Sequence, residues 1–178
     1  MIQVEVAVNQ VNQFTKVLFQ LFLNKERQKH ENSEELINSE INRITGLDLI
    51  TFLMISPNYL LKEYSVHNIS LEQIKYVSDL LFYAKDIKGV NKMSVMRRLI
   101  SYYLFLDKHN LSCVACLKQC IEEITLSNVH VDEWDDVISF FINHNDTGFA
   151  EKLISESTVL QPNNDQVHDF ATKYFFSA

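Results

Sequence analysis

The stretch SLEQIKYVSDLLFYAKDIKG, residues 70–89, decides the fold of this chain. Ser70 and Gln73 have the spacing of a capping box, in which each side chain satisfies a free backbone N–H at the start of a helix. Gly89 closes the stretch, and glycine in the left-handed conformation commonly ends helices. Apolar residues between these signals recur at steps of three and four, which places them on one helix face: Leu71, Ile74, Val77, Leu80, Leu81 and Ala84. The stretch therefore predicts an amphipathic helix with one buried side.

The same spacing predicts helices on both sides of this stretch. A first helix runs from Val4 to Phe22, and Gly46 is placed to end the second. Two short apolar elements follow at residues 47–56 and 57–65, the second of which begins with Pro57 after the capping residue Ser56. The chain has only 3 glycines and 2 prolines, and sheet-rich folds use both residues freely in turns. We therefore predict an all-α fold of stacked antiparallel helical hairpins. Its other helices cover residues 33–45, 92–109, 112–126, 132–145, 147–155 and 165–176.

Size and charge restrict the function classes. The 178 residues show no shift in composition, so we predict a single helical domain over residues 1–178. A net charge of -7 disfavours nucleic acid as a partner. Glu5 stands where a secretory signal needs basic residues, and the uncharged stretch 49–61 is interrupted by Pro57 and shorter than the roughly 20 residues that span a bilayer. These features predict a cytoplasmic protein without a membrane partner.

All 3 cysteines lie in CVACLKQC, residues 113–120. On a helix, Cys113, Cys116 and Cys120 share one face with Leu117 and Ile121. A structural zinc site normally needs a second ligand pair, which is missing, and a thioredoxin-like motif needs a strand before the helix. An odd number of cysteines is also typical of a reducing compartment. We interpret the three as reduced thiols on a buried stripe, and the alternative is a metal or redox site.

The sequence predicts no catalytic residue, metal or cofactor. Its 6 histidines are scattered without a ligand spacing. The acidic run at residues 132–136 resembles a metal-binding box, but it is explained by the favourable interaction of carboxylates with the start of a helix, in which Trp134 and Val137 face inward. No glycine pattern forms a phosphate loop or an oxyanion site. We therefore predict that the protein is not an enzyme. The alternative is a small helical enzyme, or a ligand- or metal-binding protein with a pocket between helices.

Basic residues are concentrated in one part of the sequence, close to Tyr102 and Tyr103. They are Lys85, Lys88, Lys92, Arg97 and Arg98. A guanidinium group binds a carboxylate in a bidentate manner, so this group is suited to an acidic peptide or a C-terminal carboxylate. The alternative is a solvated helix face whose long side chains lie along the surface. The candidate binding residues are therefore Arg97, Arg98 and Tyr102.

The segments INRITGLDLITFLMIS (41–56) and SLEQIKYVSDLLFYAKD (70–86) resemble a group of short bacterial proteins of unknown function that are similar to tetratricopeptide-repeat (TPR) proteins. In that group a helix ending in Gly-Leu-Asp, here Gly46, Leu47 and Asp48, precedes a short apolar helix and stacked hairpins. The segment 134–157 has the helix-turn-helix pattern of a repeat hairpin, with Trp134 early in the first helix and Ala150 in the second. The expected repeat glycine, tyrosine and late proline are missing, as is a repeat period of about 34 residues. The resemblance implies TPR-like stacking or an irregular helical bundle and no catalytic residues.

The aromatic content indicates that the protein binds another protein. The chain has 12 phenylalanines and 7 tyrosines, more than one small core readily hides. Four aromatic residues near the end form a segment that we expect to dock: Phe170, Tyr174, Phe175 and Phe176. We predict a non-enzymatic interaction or scaffold module that binds a partner protein or another copy of itself. Another alternative is an acidic inhibitor or immunity-type protein that binds a basic partner.

Overall fold

The computed structural model describes residues 13, 15–21, 23, 30–63, 69–86, 91–111, 113–126, 134–160, 169 and 172. Within these ranges every regular element is an α-helix and none is a strand, so the all-α prediction is confirmed. None of the helices described there has the length and apolar character needed to cross a membrane. The chain separates into two compact units, residues 1–111 and 112–178. A single domain over the whole chain stays a prediction.

The first unit contains six described helices. Helix α5 packs against α2 and α6, and the short helices α3 and α4 both contact α6. Helix α6 supplies the largest share of the core, since nine of its residues, among them Tyr102 and Tyr103, are buried. The bounds of the six are α1 (15–21), α2 (His30–Thr45), α3 (Leu49–Met54), α4 (Pro57–Glu63), α5 (Leu71–Ala84) and α6 (Lys92–Asp107).

The predicted start and stop signals are confirmed where the structure describes them. The backbone N–H of Ser70 donates to Gln73 Oε1 (2.8 Å), and the N–H of Gln73 donates to Ser70 Oγ (3.3 Å). Gly46 ends α2 with a φ of +72°, a conformation that costs other residues free energy. Pro57 begins α4, and Ser56 Oγ accepts from the N–H of Tyr59 at 3.2 Å. Gly89 lies outside the described residues.

Asparagine replaces glycine at two further helix ends. Asn110 follows α6 with a φ of 59°, and Asn145 has a φ of 60°. In the first case the N–H of Leu111 donates to the carbonyl of Leu106 at 3.0 Å, the bond of a Schellman motif. Asparagine tolerates the left-handed conformation better than most residues. A chain with few glycines can therefore still end its helices sharply.

A buried carboxylate links two helices of the first unit. Glu40 of α2 accepts two hydrogen bonds from Arg43, at 2.9 and 2.8 Å, and one from the hydroxyl of Tyr76 in α5, at 2.7 Å. Burial opposes ionisation, yet these hydrogen bonds hold the pKa of Glu40 below its ordinary value. The group is fully occupied by partners within the fold, which is the arrangement expected of a structural carboxylate.

The second unit contains α7 (Val114–Leu126), α8 (Trp134–Asn143) and α9 (Thr147–Leu160). Helix α8 packs against α9, and the rings of Phe141 and Phe149 meet edge to face at 4.6 Å. Lys118 of α7 binds Asp146 at 2.6 Å and lies 4.4 Å from the centre of the Phe149 ring. Trp134 is buried, as predicted.

Several predicted helix bounds differ from the structure or fall outside the described residues. Helix α2 begins at His30 and not at residue 33. Helix α9 continues to Leu160 and not only to residue 155, since the first strong helix breaker after its start is Pro162. Of the last predicted helix, only residues 169 and 172 are described, and both are helical. The aromatic residues near the end, and the part of the first helix before residue 13, lie outside the described residues.

The prediction of three reduced thiols is wrong for two of the cysteines. Cys113 and Cys116 form a disulfide, with Cα atoms 5.3 Å apart, and both side chains are only partly buried. Cys120 lies outside the disulfide and is fully buried with Leu117 and Ile121, as the stripe interpretation requires. The difference arises because α7 begins at Val114, so that Cys113 precedes the helix instead of continuing its buried face.

Candidate functional site

The structure joins two of the three predicted binding residues at the end of α3. Arg98 Nε donates to the carbonyl oxygen of Leu53 at 2.5 Å, and Arg98 Nη2 donates to that of Met54 at 3.1 Å. The hydroxyl of Tyr102 lies 3.3 Å from the carbonyl oxygen of Ile55. Arg97, in contrast, is exposed on α6. A carboxylate-binding role for these residues stays a prediction, and in this structure the Arg98 guanidinium contacts backbone carbonyls.

These contacts match the electrostatics of a helix end. The last carbonyl groups of a helix have no partner within it and carry partial negative charge. The guanidinium of Arg98 satisfies two of them and complements that charge. Tyr102 is fully buried, which raises its pKa, and its ring stacks on Phe52 with centroids 4.9 Å apart and planes inclined by 5°. The C-terminal end of α3 is therefore fixed to α6.

The N-terminal end of α3 is fixed as well. Asp48 caps it by accepting hydrogen bonds from the backbone N–H and the hydroxyl of Thr51, both at 2.8 Å. These bonds hold the pKa of Asp48 below its ordinary value, so the cap is ionised at neutral pH. The N–H of Leu49 donates to the side-chain oxygen of Asn38 in α2 at 2.7 Å. A six-residue helix, too short to be stable alone, is thus held at both ends.

The outer side of α3 presents two large apolar side chains to solvent. Ile50 is 72% exposed and Met54 is 75% exposed, while Leu49 and Phe52 are buried on the inner side. Residues four apart lie next to each other on a helix surface, so the two exposed side chains form one continuous patch. We call Ile50 and Met54 the α3 face. Adjacent exposed apolar side chains on a rigid element are typical of a surface that binds another molecule.

A groove lies beside the α3 face. It has a volume of about 470 Å³. Three of its lining residues are acidic and exposed, whereas Leu49 forms a buried apolar base and Ile50 belongs to both groove and face. The site therefore combines an apolar contact with concentrated negative charge. The residues that line the groove are Glu34, Glu35, Asn38, Asp48, Leu49 and Ile50.

Sequence reasoning missed the α3 face for an identifiable reason. LITFLM, the sequence of α3, has apolar or weakly polar residues on every side, so its periodicity does not distinguish an inner from an outer face. A signal was nevertheless present. A helix that is apolar on all sides must either be enclosed by other elements or expose part of its apolar surface. The helix between Gly46 and Pro57 is too short to contact many other elements, so exposure of part of its apolar surface could have been expected.

The other predicted basic residues have partners within the fold. Lys85 is 5% exposed and lies 4.6 Å from the centre of the Phe82 ring. Lys92 binds Asp86 at 2.6 Å, and the hydrogen bond from Lys92 holds the pKa of that carboxyl below its ordinary value. Lys88 lies outside the described residues. The described part of the basic cluster therefore does not form an open cationic groove.

The part of the chain that the structure describes offers no second site with metal-binding chemistry, and known proteins suggest none. Among the described residues, no group of histidine, cysteine or acidic side chains is arranged to hold a metal ion. Comparison of the chain with protein-family models, curated proteins and solved structures found no match. The α3 face and its acidic groove are therefore the functional candidate that the geometry itself provides.

Proposed function

We propose that this protein is a non-enzymatic binding module that uses the α3 face and the acidic groove to bind a basic, amphipathic segment of a partner protein. The observation that carries the proposal is the exposure of Ile50 and Met54 on a helix that is fixed at both ends. An apolar pair held in place loses little conformational entropy on binding, so more of its contact energy contributes to affinity.

The charge of the groove selects the chemistry of the partner. Glu34, Glu35 and Asp48 place carboxylates next to an apolar contact. A helix with leucine-type side chains on one face and lysine or arginine along its edge would complement both features. The net charge of -7 favours approach of such a segment and disfavours acidic partners. The same partner chemistry suits an acidic inhibitor of a basic protein.

The first test compares proteins recovered from native lysate by matched variants. Ile50→Asp with Met54→Asp places charge on the α3 face and should release the specific partner. Phe19→Asp is the control, since Phe19 is 62% exposed on α1. We expect mass spectrometry to find a protein that the original chain and Phe19→Asp retain and the double variant loses. Identical recovery by all three would contradict the proposal.

The second test measures the chemistry of the partner directly. A fluorescent amphipathic helical peptide carrying leucine and lysine should bind the original chain, and Ile50→Asp with Met54→Asp should weaken binding at least tenfold, about 1.4 kcal/mol. Glu34→Lys with Glu35→Lys should weaken it mainly at low salt. Asp135→Lys with Asp136→Lys makes the same charge change on α8 and should have little effect. Equal binding by all variants would exclude the groove as the contact.

A second copy of this chain is the competing occupant of the α3 face. Analytical ultracentrifugation distinguishes self-association from binding of a different partner. We expect the original chain to sediment as a monomer in the absence of a partner. A dimer that Ile50→Asp with Met54→Asp converts to monomers would mean that a second copy covers the α3 face. That result would overturn the proposal of a basic partner while leaving α3 as an interface.

A further inference from the structure

The disulfide between Cys113 and Cys116 lies at the beginning of α7. The backbone N–H of Leu117 donates to the carbonyl of Cys113 at 3.0 Å, so Cys113 is the residue that caps the helix. Cys116 is in the first turn. The disulfide therefore spans two positions next to the unsatisfied N–H groups of the first turn, where negative charge is stabilised.

A stabilising role explains this disulfide poorly. The loop that it closes contains only Val114 and Ala115, and the constraint that a disulfide places on the unfolded chain is smallest for the shortest loops. It also joins the capping residue to the first turn of the same helix, so it connects no separate elements. The first backbone hydrogen bond of the helix, from the N–H of Leu117 to the carbonyl of Cys113, involves neither sulfur.

Access and local charge instead suit chemistry at sulfur. Cys113 and Cys116 are both partly exposed, whereas Cys120, which is on the same helix, is fully buried. Because Cys113 is the capping residue, the first-turn N–H groups would stabilise its sulfur as a thiolate once the pair is reduced. The thiolate is the reactive form of cysteine.

We propose that Cys113 and Cys116 form a thiol–disulfide exchange site for small disulfides and thiols of the glutathione class. In the oxidising direction the Cys113 thiolate attacks one sulfur of the small disulfide, forms a mixed disulfide and releases one small thiolate. The Cys116 thiolate then attacks Cys113 Sγ, closes the protein disulfide and releases the second small thiolate. Two electrons pass from the protein dithiol to the small disulfide, and the released thiolates take up the two protons. Excess small thiol reverses both steps.

The site can be tested on the full chain, equilibrated in buffers with different ratios of reduced to oxidised glutathione. The free thiols are then alkylated, and mass spectrometry identifies which cysteines were reduced. We expect Cys113 and Cys116 to convert reversibly between disulfide and dithiol in the folded protein, with Cys120 alkylated only after unfolding. A disulfide that glutathione reduces only in denaturant would overturn the proposal by making the bond structural. Failure of the dithiol to oxidise in any buffer would overturn it as well.

Single variants separate the two sulfurs. Cys116→Ser leaves Cys113 without a resolving thiol and should accumulate the mixed disulfide with glutathione. Cys113→Ser leaves Cys116, which should form it roughly tenfold more slowly at neutral pH because its sulfur is not in the capping position. Thermal denaturation of Cys113→Ser should match that of the original chain within a few degrees. Equal rates for both variants, or a large loss of stability in Cys113→Ser, would contradict the exchange site.

Discussion

Helices α3 and α8 are both short and apolar, yet they serve the fold in opposite ways. Helix α8 buries five residues, including Trp134 and Phe141, and exposes Asp135 and Asp136. Helix α3 buries only Leu49 and Phe52, and its position depends on hydrogen bonds at its two ends. Helix α8 is held by the apolar area that it buries, whereas α3 is held by polar contacts with its neighbours. Only the arrangement of α3 leaves an apolar surface available for a partner.

The largest expected effect comes from removing a buried ring of α8. Phe141 is fully buried, and Phe141→Ala should lower the free energy of unfolding by about 3–5 kcal/mol through lost burial and the resulting cavity. Ile50→Ala on the α3 face should change it by less than about 0.5 kcal/mol. Urea denaturation of both variants measures the difference. A similar loss in both would mean that the α3 face is covered within the fold.

A smaller effect should follow when the end of α3 is released from α6. Arg98→Met leaves two carbonyl groups without their donor and should cost about 1–3 kcal/mol of unfolding free energy. Arg97→Met, the exposed neighbour on α6, is the matched control and should cost less than about 0.5 kcal/mol. Urea denaturation again provides the measurement. Arg98→Met should also weaken peptide binding, because the α3 face would no longer be held rigidly.

An equal and small cost for both arginine variants would contradict the account of how α3 is held. It would show that the packing of Phe52 on Tyr102 fixes the helix without Arg98. Tyr102→Phe then distinguishes the contribution of the ring from that of the hydroxyl. It keeps the ring stacked on Phe52 and removes only the hydroxyl contacts to the carbonyl oxygens of Phe52 and Ile55, at 3.4 and 3.3 Å. The rigid presentation of the α3 face would in that case rest on apolar packing alone.

The smallest effect concerns two aspartates that cap helices and have different partners. Asp48 caps α3, and Asp146 caps α9 by accepting a hydrogen bond from the backbone N–H of Phe149 at 3.3 Å. The side-chain hydrogen bond and the charge of Lys118 hold the pKa of Asp146 low, whereas hydrogen bonds from uncharged groups of Thr51 do so for Asp48. A lowered pKa stabilises the fold above the ordinary value of 3.8, and this contribution is lost as the pH falls through the lowered value. About 1 M salt screens charges, so it should raise the pKa of Asp146 and leave that of Asp48 nearly unchanged.

Carboxyl NMR titrations at low and high salt check this difference. Lys118→Met is the control, since it removes the cation and should raise the pKa of Asp146 without added salt. Equal salt responses at the two aspartates would contradict the assignment. In that case the ion pair with Lys118 would not be what lowers the pKa of Asp146.

The fold was predictable to the extent that periodicity and caps act locally. Ser70 with Gln73, Gly46 and Pro57 begin or end helices where the sequence places them, because these signals depend on a few adjacent residues. The asparagine helix ends were missed, since Asn110 and Asn145 adopt a conformation for which glycine is the stronger signal. The site was less predictable. Arg98 and Tyr102 were identified as a group, but their partners lie more than forty residues away.

The sequence by itself determined that this chain is helical, which side of α5 and of α8 is buried, and that its surface is acidic. These properties follow from residue spacing and from summed charge. Only the tertiary structure decided that Arg98 holds α3, that Ile50 and Met54 stay exposed, and that Cys113 bonds with Cys116. Exposure on an all-apolar helix depends on which elements enclose it, and disulfide formation depends on where the helix begins, so neither is encoded by periodicity.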